Sequence, residues 1–516
     1  MGTTGREEGP EDDARRDEGV GEGALALSSR RGRWLLTVAV LGSAVAQIEA
    51  TVVNIALPAI GSDLDADVAA LQWVLNGYLL SLAGLVLLGG SLGDRLGRRR
   101  VFVLGVALFT LTSALCAAAP NVETLVAARV LQGVGAALLT PGSLALLESL
   151  LRPEDRARAI GAWSALGGVA AALGPLLGGW LVEYSWRWVF LVPVPLGLLV
   201  VVVGTTRIPE SRDPGASGRL DAVGAVLATA GLGLLTFALI SASDGDRAAV
   251  GVAVVVGMLA LVGFWRYESR HRDPMLDPTL FASRTFTVAN LLTFAVYAGL
   301  GGVFFLFVVF LQTTMGYTPL QAGSASLPIT VLMLVLSARA GAVTTRLGPR
   351  LPLTVGAVLI AAGMLLLSAI DPGERYLTSV LPAVVVLGLG LASTVAPVTA
   401  TVLGAVEDRH AGMASGINNA VARTAQLAAV AALPLVVGLT GDAYDDPVAL
   451  ATGFERAMWI TAALALVGAV LAAVGLPPGP SSPPPGPVAT DRSADDATHL
   501  SCGVAGPPVR PTRRRH

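Results

Sequence analysis

Apolar and polar positions alternate along this chain on a coarse scale. Apolar blocks of about twenty residues are separated by short connections rich in Arg, Gly and Pro. A helix needs a block of that length to cross a hydrocarbon core of roughly 30 Å at ~1.5 Å per residue. The blocks fall near 34–58, 68–92, 101–119, 122–147, 159–182, 188–206, 219–241, 248–266, 286–312, 321–345, 351–370, 377–402, 413–439 and 455–476. The pattern predicts fourteen membrane-spanning helices and an all-α polytopic membrane protein.

The connections set the orientation. Alternate ones carry Arg95 and Arg98 to Arg100; Arg152, Arg156 and Arg158; Arg207, Arg212 and Arg219; Arg266, Arg270, Arg272 and Arg284; Arg346 and Arg350; and Arg409. The intervening ones hold few arginines, among acids such as Asp63, Asp65, Asp67, Asp442, Asp445 and Asp446. The positive-inside rule makes the first set cytoplasmic and both termini cytoplasmic, which requires an even number of spans. Residues 1–33, acidic and basic by turns and without an apolar stretch, read as a disordered cytoplasmic tail and not as a cleaved signal. Residues 477–516, opening on PPGPSSPPPGP, read as a Pro-rich disordered cytoplasmic tail.

Composition narrows the function. Apolar residues make up 53% of 516 and charged residues 14%, and every basic residue is Arg, with no Lys anywhere. That removes the phosphate-binding and Schiff-base lysines, and with them the expectation of an ATPase or an enzyme. Such Arg-only, Ala/Gly/Val-heavy usage is what a GC-rich bacterial genome would produce. Cys116 lies in an apolar block and Cys502 in the tail, so no disulfide is expected. His271, His410, His499 and His516 lie in connections or tails, so no metal or haem site is expected in the bilayer. An intramembrane proton carrier must then be a carboxylate.

An internal repeat divides the chain. The stretch Gly90 to Arg99, GSLGDRLGRR, is echoed by Gly341 to Arg350, GAVTTRLGPR, each after an even-numbered span and eight spans apart. Two halves of six would place them six apart. The chain therefore reads as an N-terminal half (34–206), two inserted helices with their linkers (207–285) and a C-terminal half (286–476). Within the first half, Glu49 lies nine residues before Pro58 and Arg129 about seven residues into the fourth block. Both sit about 10–14 Å below the outer face and can pair. Charges at that depth are functional candidates by default.

Several motifs share one resemblance. Gly90, Asp94, Arg95, Gly97 and Arg98 build a short basic loop in which Gly97 permits a left-handed turn. The fourth block reads Arg129-Val-Leu-Gln132-Gly133, and the fifth holds Gly174-Pro175-Leu-Leu-Gly178-Gly179, small residues for close helix approach beside a bend. With Ile48-Glu49-Ala-Thr51-Val-Val-Asn54, Gln72-Trp73-Val-Leu-Asn76-Gly77-Tyr78 and Trp186-Arg187-Trp188, these resemble the fourteen-span drug:proton antiporters of the major facilitator superfamily over residues 34–476. The family's usual Asp is Glu49 here, and its usual Asn is Pro193.

The resemblance implies the major facilitator fold in the plasma membrane, with proton coupling at Glu49 and Arg129. It implies conformational switching by the loop residues and by Gly174, Pro175, Gly178 and Gly179. Gln47, Thr51, Asn54, Tyr78, Gln132, Trp163, Asn290, Gln312 and Asn418 are the candidate cavity lining. The expected partners are a small-molecule substrate, protons and lipid, with no nucleic acid, no cofactor beyond the proton motive force, and a monomeric chain. The expected activity is proton-coupled efflux of drugs or other amphipathic or cationic compounds. Export of one self-made antibiotic or metabolite, import on the same fold, and a non-transporting sensor stay open on these residues.

Overall fold

A computed structural model describes residues 24–212, 220–242, 246–271, 274–407, 410–440 and 446–479. Fourteen helical spans run through them. They are α1 (Arg30–Leu64), α2 (Val68–Leu96), α3 (Arg98–Ala117), α4 (Val122–Leu150), α5 (Pro153–Val182), α6 (Arg187–Arg207), α7 (Ala222–Ile240) and α8 (Arg247–Glu268). The second part holds α9 (Arg284–Thr313), α10 in two pieces (Pro319–Ala325 and Leu327–Leu347), α11 (Arg350–Ser368), α12 (Tyr376–Gly404), α13 (Ala411–Val437) and α14 (Pro447–Gly475). Each span overlaps one of the predicted apolar blocks.

Short polar side chains start these helices. Ser29, Asp67, Asn121, Asp246, Ser283 and Asp446 accept backbone N–H bonds at their N-termini, and Thr318 with Gln321 forms a reciprocal capping box. Prolines mark the breaks, since their rings cannot continue the hydrogen-bond ladder: Pro193 follows the interruption of α6, and Pro328 that of α10. The sequence echo is also a structural one. Gly97 ends α2 at φ 116° and Gly348 ends α10 at φ 83°, each donating its N–H to the carbonyl four residues back.

Packing forms two groups. In the first, α4 lies against α2 and α3, and α1 against α5 and α6; in the second, α14 lies against α9 and α11, and α12 against α10 and α11. The groups touch through α2 with α13, α5 with α10, and α1 with α9. Helix α7 sits outside this frame against α2 and α13, and α8 packs on α7. The predicted first tail is shorter than expected. Leu25 exchanges backbone bonds with Leu150 and Arg152, Leu27 N–H donates to Asp155, and α1 already begins at Arg30. Apolar Leu25 and Leu27 dock on the α4–α5 corner, a local match that tail composition conceals. Residues 1–23 and 480–516 of the two predicted tails lie outside the described residues.

Candidate functional site

Glu49 and Arg129 meet. Their side chains are 0% and 1% exposed, and Arg129 Nη1 lies 3.1 Å from Glu49 Oε1. The same nitrogen donates to Gln132 Oε1 at 2.6 Å, Arg129 Nε donates to the Val74 carbonyl at 3.0 Å, and the guanidinium lies 4.4 Å from the centre of the Tyr78 ring. Gln132 donates to Ser113 Oγ, which donates to the Phe190 carbonyl. Five helices, α1, α2, α3, α4 and α6, thus converge on one arginine. Glu49 Oε2 is buried without a hydrogen-bond partner. In dry surroundings an orphan carboxylate oxygen carries a high cost, and a proton is the smallest group that relieves it.

The fifth-span motif works by contact. A Cβ at Gly174 would collide with Thr51 Oγ1 of α1, and one at Gly178 would reach within 3.0 Å of Val52. Gly179 lies against the Pro319 carbonyl of α10, and Gly323 of α10 against the Pro175 carbonyl. Further along the same helical faces, eighteen residues or five turns away, Gly161 of α5 and Gly341 of α10 have open space around them. Helices α5 and α10 therefore touch at their outer ends and part toward the cytoplasm. Two more bonds close the outer side: Gln72 Nε2 to the Val430 carbonyl at 2.8 Å and Gln312 Nε2 to the Ile55 carbonyl at 3.1 Å. The structure is inward-open.

The basic loop is anchored within itself and on the linker that follows α6. Asp94 accepts from Arg98 at 2.8 Å, Arg98 N–H donates to the Ser211 carbonyl, and Arg99 N–H donates to Glu210. Arg99 and Arg100 side chains both lie 3.6 Å from Glu210 Oε2. With the inner ends parted, Asp94, one of the expected switch residues, bonds within its own loop.

The predicted cavity residues divide. Gln47 and Asn54 are half-buried on α1. Tyr78 and Gln132 are buried in the wall around Arg129 and do not face open space. Thr51 bonds its own helix backbone beneath Gly174, and Gln312 belongs to the outer seal. Trp163 Nε1 donates to Ser43 Oγ, which donates to Ser143, tying α5, α1 and α4. Asn418 bridges Asn290 and Thr293 in the second half, at 3.1 and 2.9 Å. Helical spacing puts Gln47, Thr51 and Asn54 on one face of α1 but does not name the neighbour that covers each.

Other residues escaped notice in the sequence. Ser113 and Glu210 look ordinary until their neighbours fold onto them. Asp221 and Glu268, 2% and 1% exposed, converge on Gly224 at the cytoplasmic junction of α7 and α8. Arg423 in α13 was signalled by the same rule that picked out Arg129, an arginine deep in an apolar block.

The family model described as Major Facilitator Superfamily matches residues 39–430. The chain is 38% identical to the puromycin resistance protein of Streptomyces alboniger, over 78% of this chain and 81% of that one. It is 36% identical to the tetracenomycin C resistance and export protein of Streptomyces glaucescens, over 83% and 80%. It is 35% identical to a multidrug resistance protein of Mycobacterium tuberculosis, over 74% and 71%. Among solved structures, a peptide transporter in complex with sulfate superposes with a TM-score of 0.62 at 15% identity, covering 87% of this chain and 96% of that one. A D-xylose–proton symporter superposes with a TM-score of 0.60 at 16% identity, covering 86% and 98%. These superpositions speak to the fold.

Proposed function

Because this chain belongs to the Major Facilitator Superfamily, we propose that it exports drugs or other amphipathic organic compounds from a bacterial cell by proton antiport. The observation that carries the coupling is the buried Glu49–Arg129 pair beside a pathway closed outside and parted inside. Relatives named for resistance and export support the outward direction.

The geometry gives the cycle an order. Facing inward, Glu49 is held by Arg129, the arrangement of a carboxylate that has given up its proton. Substrate enters from the cytoplasm between the parted ends of α5 and α10. Opening the outer side must break the Gly179–Pro319 and Gly323–Pro175 contacts, and α5 moves with α1 through Gly174 and Thr51. Displacing α1 from α4 loosens the pair, so Glu49 takes a proton from outside. Return of Arg129 expels that proton inward. The proton motive force drives the cycle with no cofactor, and one chain supplies every part.

Efflux of two dyes, cationic ethidium and anionic fluorescein, from energised cells tests the reading. Wild-type efflux should collapse with a protonophore, and Glu49→Gln should abolish it. Efflux that survives Glu49→Gln and still needs the proton gradient would assign coupling to another acid. A narrower reading, export of one antibiotic or metabolite, is favoured by relatives named for single compounds. An efflux panel in which only one compound is carried would select it.

A further inference from the structure

A second intramembrane arginine is left unused by the coupling pair. Arg423 lies twelve residues past Ala411, the first residue of α13, a rise of about 18 Å into the membrane at ~1.5 Å per residue. Its direction follows from its neighbours at seven-residue spacing. Gly416 faces Leu87 of α2, and the Val430 carbonyl accepts from Gln72 of α2, so Arg423, midway between them, faces α2 as well. Gln426 packs on Gly301 of α9. Arg423 therefore points into the space bounded by α2 and α9, on the inner side of the bundle, within electrostatic reach of the Tyr78 and Tyr297 hydroxyls.

Its charge is uncompensated. The hydrogen bond of Arg423 is to neutral Gln426, at 3.1 Å, and among the described residues no carboxylate lies within ion-pair distance of it. Glu49, the acid at comparable depth, is already engaged by Arg129. Arg423 is half-buried, and Asn419, one turn toward the cytoplasm on the same face, is exposed. An arginine in a membrane interior is stable only with a partner or with water, and its planar fork of donors matches a carboxylate or an acidic phenol.

We infer that Arg423 is a substrate-anchoring residue that receives the anionic group of the exported compound, with Asn419 and Gln426 as polar neighbours. The inference rests on the export reading and gives it a charge class, an amphipathic organic anion. The direction of transport agrees, because an inside-negative membrane potential drives an anion outward. The Tyr78 ring places the bound anion next to the coupling pair, since its face stacks on Arg129.

The test uses the full chain in lipid nanodiscs and two dyes with one xanthene ring system, anionic fluorescein and cationic rhodamine 6G, with binding read by fluorescence anisotropy. Wild type should bind fluorescein more tightly. Arg423→Gln should weaken fluorescein by about 10-fold or more while moving rhodamine 6G less than about 2-fold, and Arg423→Lys should recover much of the loss. Unchanged rhodamine 6G binding also certifies the fold of the variant. Fluorescein binding that ignores Arg423→Gln, a wild-type preference for the cation, or equal loss of both dyes would overturn the inference. Fluorescein counterflow in proteoliposomes separates the two readings. Binding as expected without counterflow leaves the anion site standing and defeats export, whereas counterflow undiminished by Arg423→Gln defeats the anion site and leaves export standing.

Discussion

Removing both charges of the Glu49–Arg129 pair together should cost less than the sum of removing each alone. At 3.1 Å, Coulomb's law with an effective dielectric of 20 gives an attraction of about 5 kcal/mol. Desolvation of two buried charges offsets much of that, so the pair is worth far less than this figure relative to a neutral replacement. Removing one partner is different, because the other charge stays buried. Glu49→Gln leaves Arg129 with Gln132, the Val74 carbonyl and the Tyr78 ring, so its cost should sit near 3 kcal/mol, the lower end of the usual ~3–5. Arg129→Met leaves Glu49 beside Gln132 and able to take up a proton, which relieves the buried charge, so its cost should lie below that of Glu49→Gln. The double variant should fall short of the sum by about 2–3 kcal/mol. A double-mutant cycle measures this by detergent-denaturant titration of the purified protein, followed by tryptophan fluorescence. A coupling below ~0.5 kcal/mol would refute the argument, since additive sites do not share a buried ion pair.

Other substitutions probe the remaining contacts. Gly174→Ala should destabilise the protein by about 1–3 kcal/mol through collision with Thr51, and Thr51→Ala should restore much of the lost stability and transport; a Gly174→Ala variant as stable and active as wild type would show that the two helices do not pack this tightly. Gln72→Leu and Gln312→Leu each remove one bond that exists only with the outer side shut. Each should shift the equilibrium toward outward-open by about 1 kcal/mol, roughly 5-fold, seen as faster labelling of an outer-face cysteine by an impermeant reagent. Glu268→Gln supplies an N–H to the orphan Asp221 Oδ2 and should raise the melting temperature; a fall would mean that the two acids are satisfied in another way.

Much of the fold was legible because a bilayer forces helix length and loop charge into the sequence. Apolar blocks had to reach about twenty residues, and cytoplasmic loops had to carry arginine. The α1–α4 pair was legible for a related reason. An acid and an arginine at equal depth in neighbouring spans have few alternatives to each other. Arg423 obeyed the same rule, but no acid at its depth pointed to a partnership. The breaks in α6 and α10, at Pro193 and Pro328, were not read from the block pattern, which runs unbroken through both.

The lining of the cavity was not legible. A period of 3.6 residues assigns Thr51, Tyr78 and Gln312 to helix faces, but contact depends on which neighbour fills each face. Gly174 under Thr51, Arg129 over Tyr78 and Ile55 against Gln312 come from helices far along the chain or across the pseudo-repeat. The conformational state lay beyond the sequence too, because one chain must support both inward- and outward-open packings at nearly equal free energy. Sequence by itself determined the number of spans, their orientation and the depth of the buried charges, all fixed by transfer between water and hydrocarbon. Only tertiary structure decided which polar groups are spent on one another and which, like Arg423, bond a neutral neighbour and no carboxylate among the described residues, because that depends on distances between helices that transfer energies do not specify.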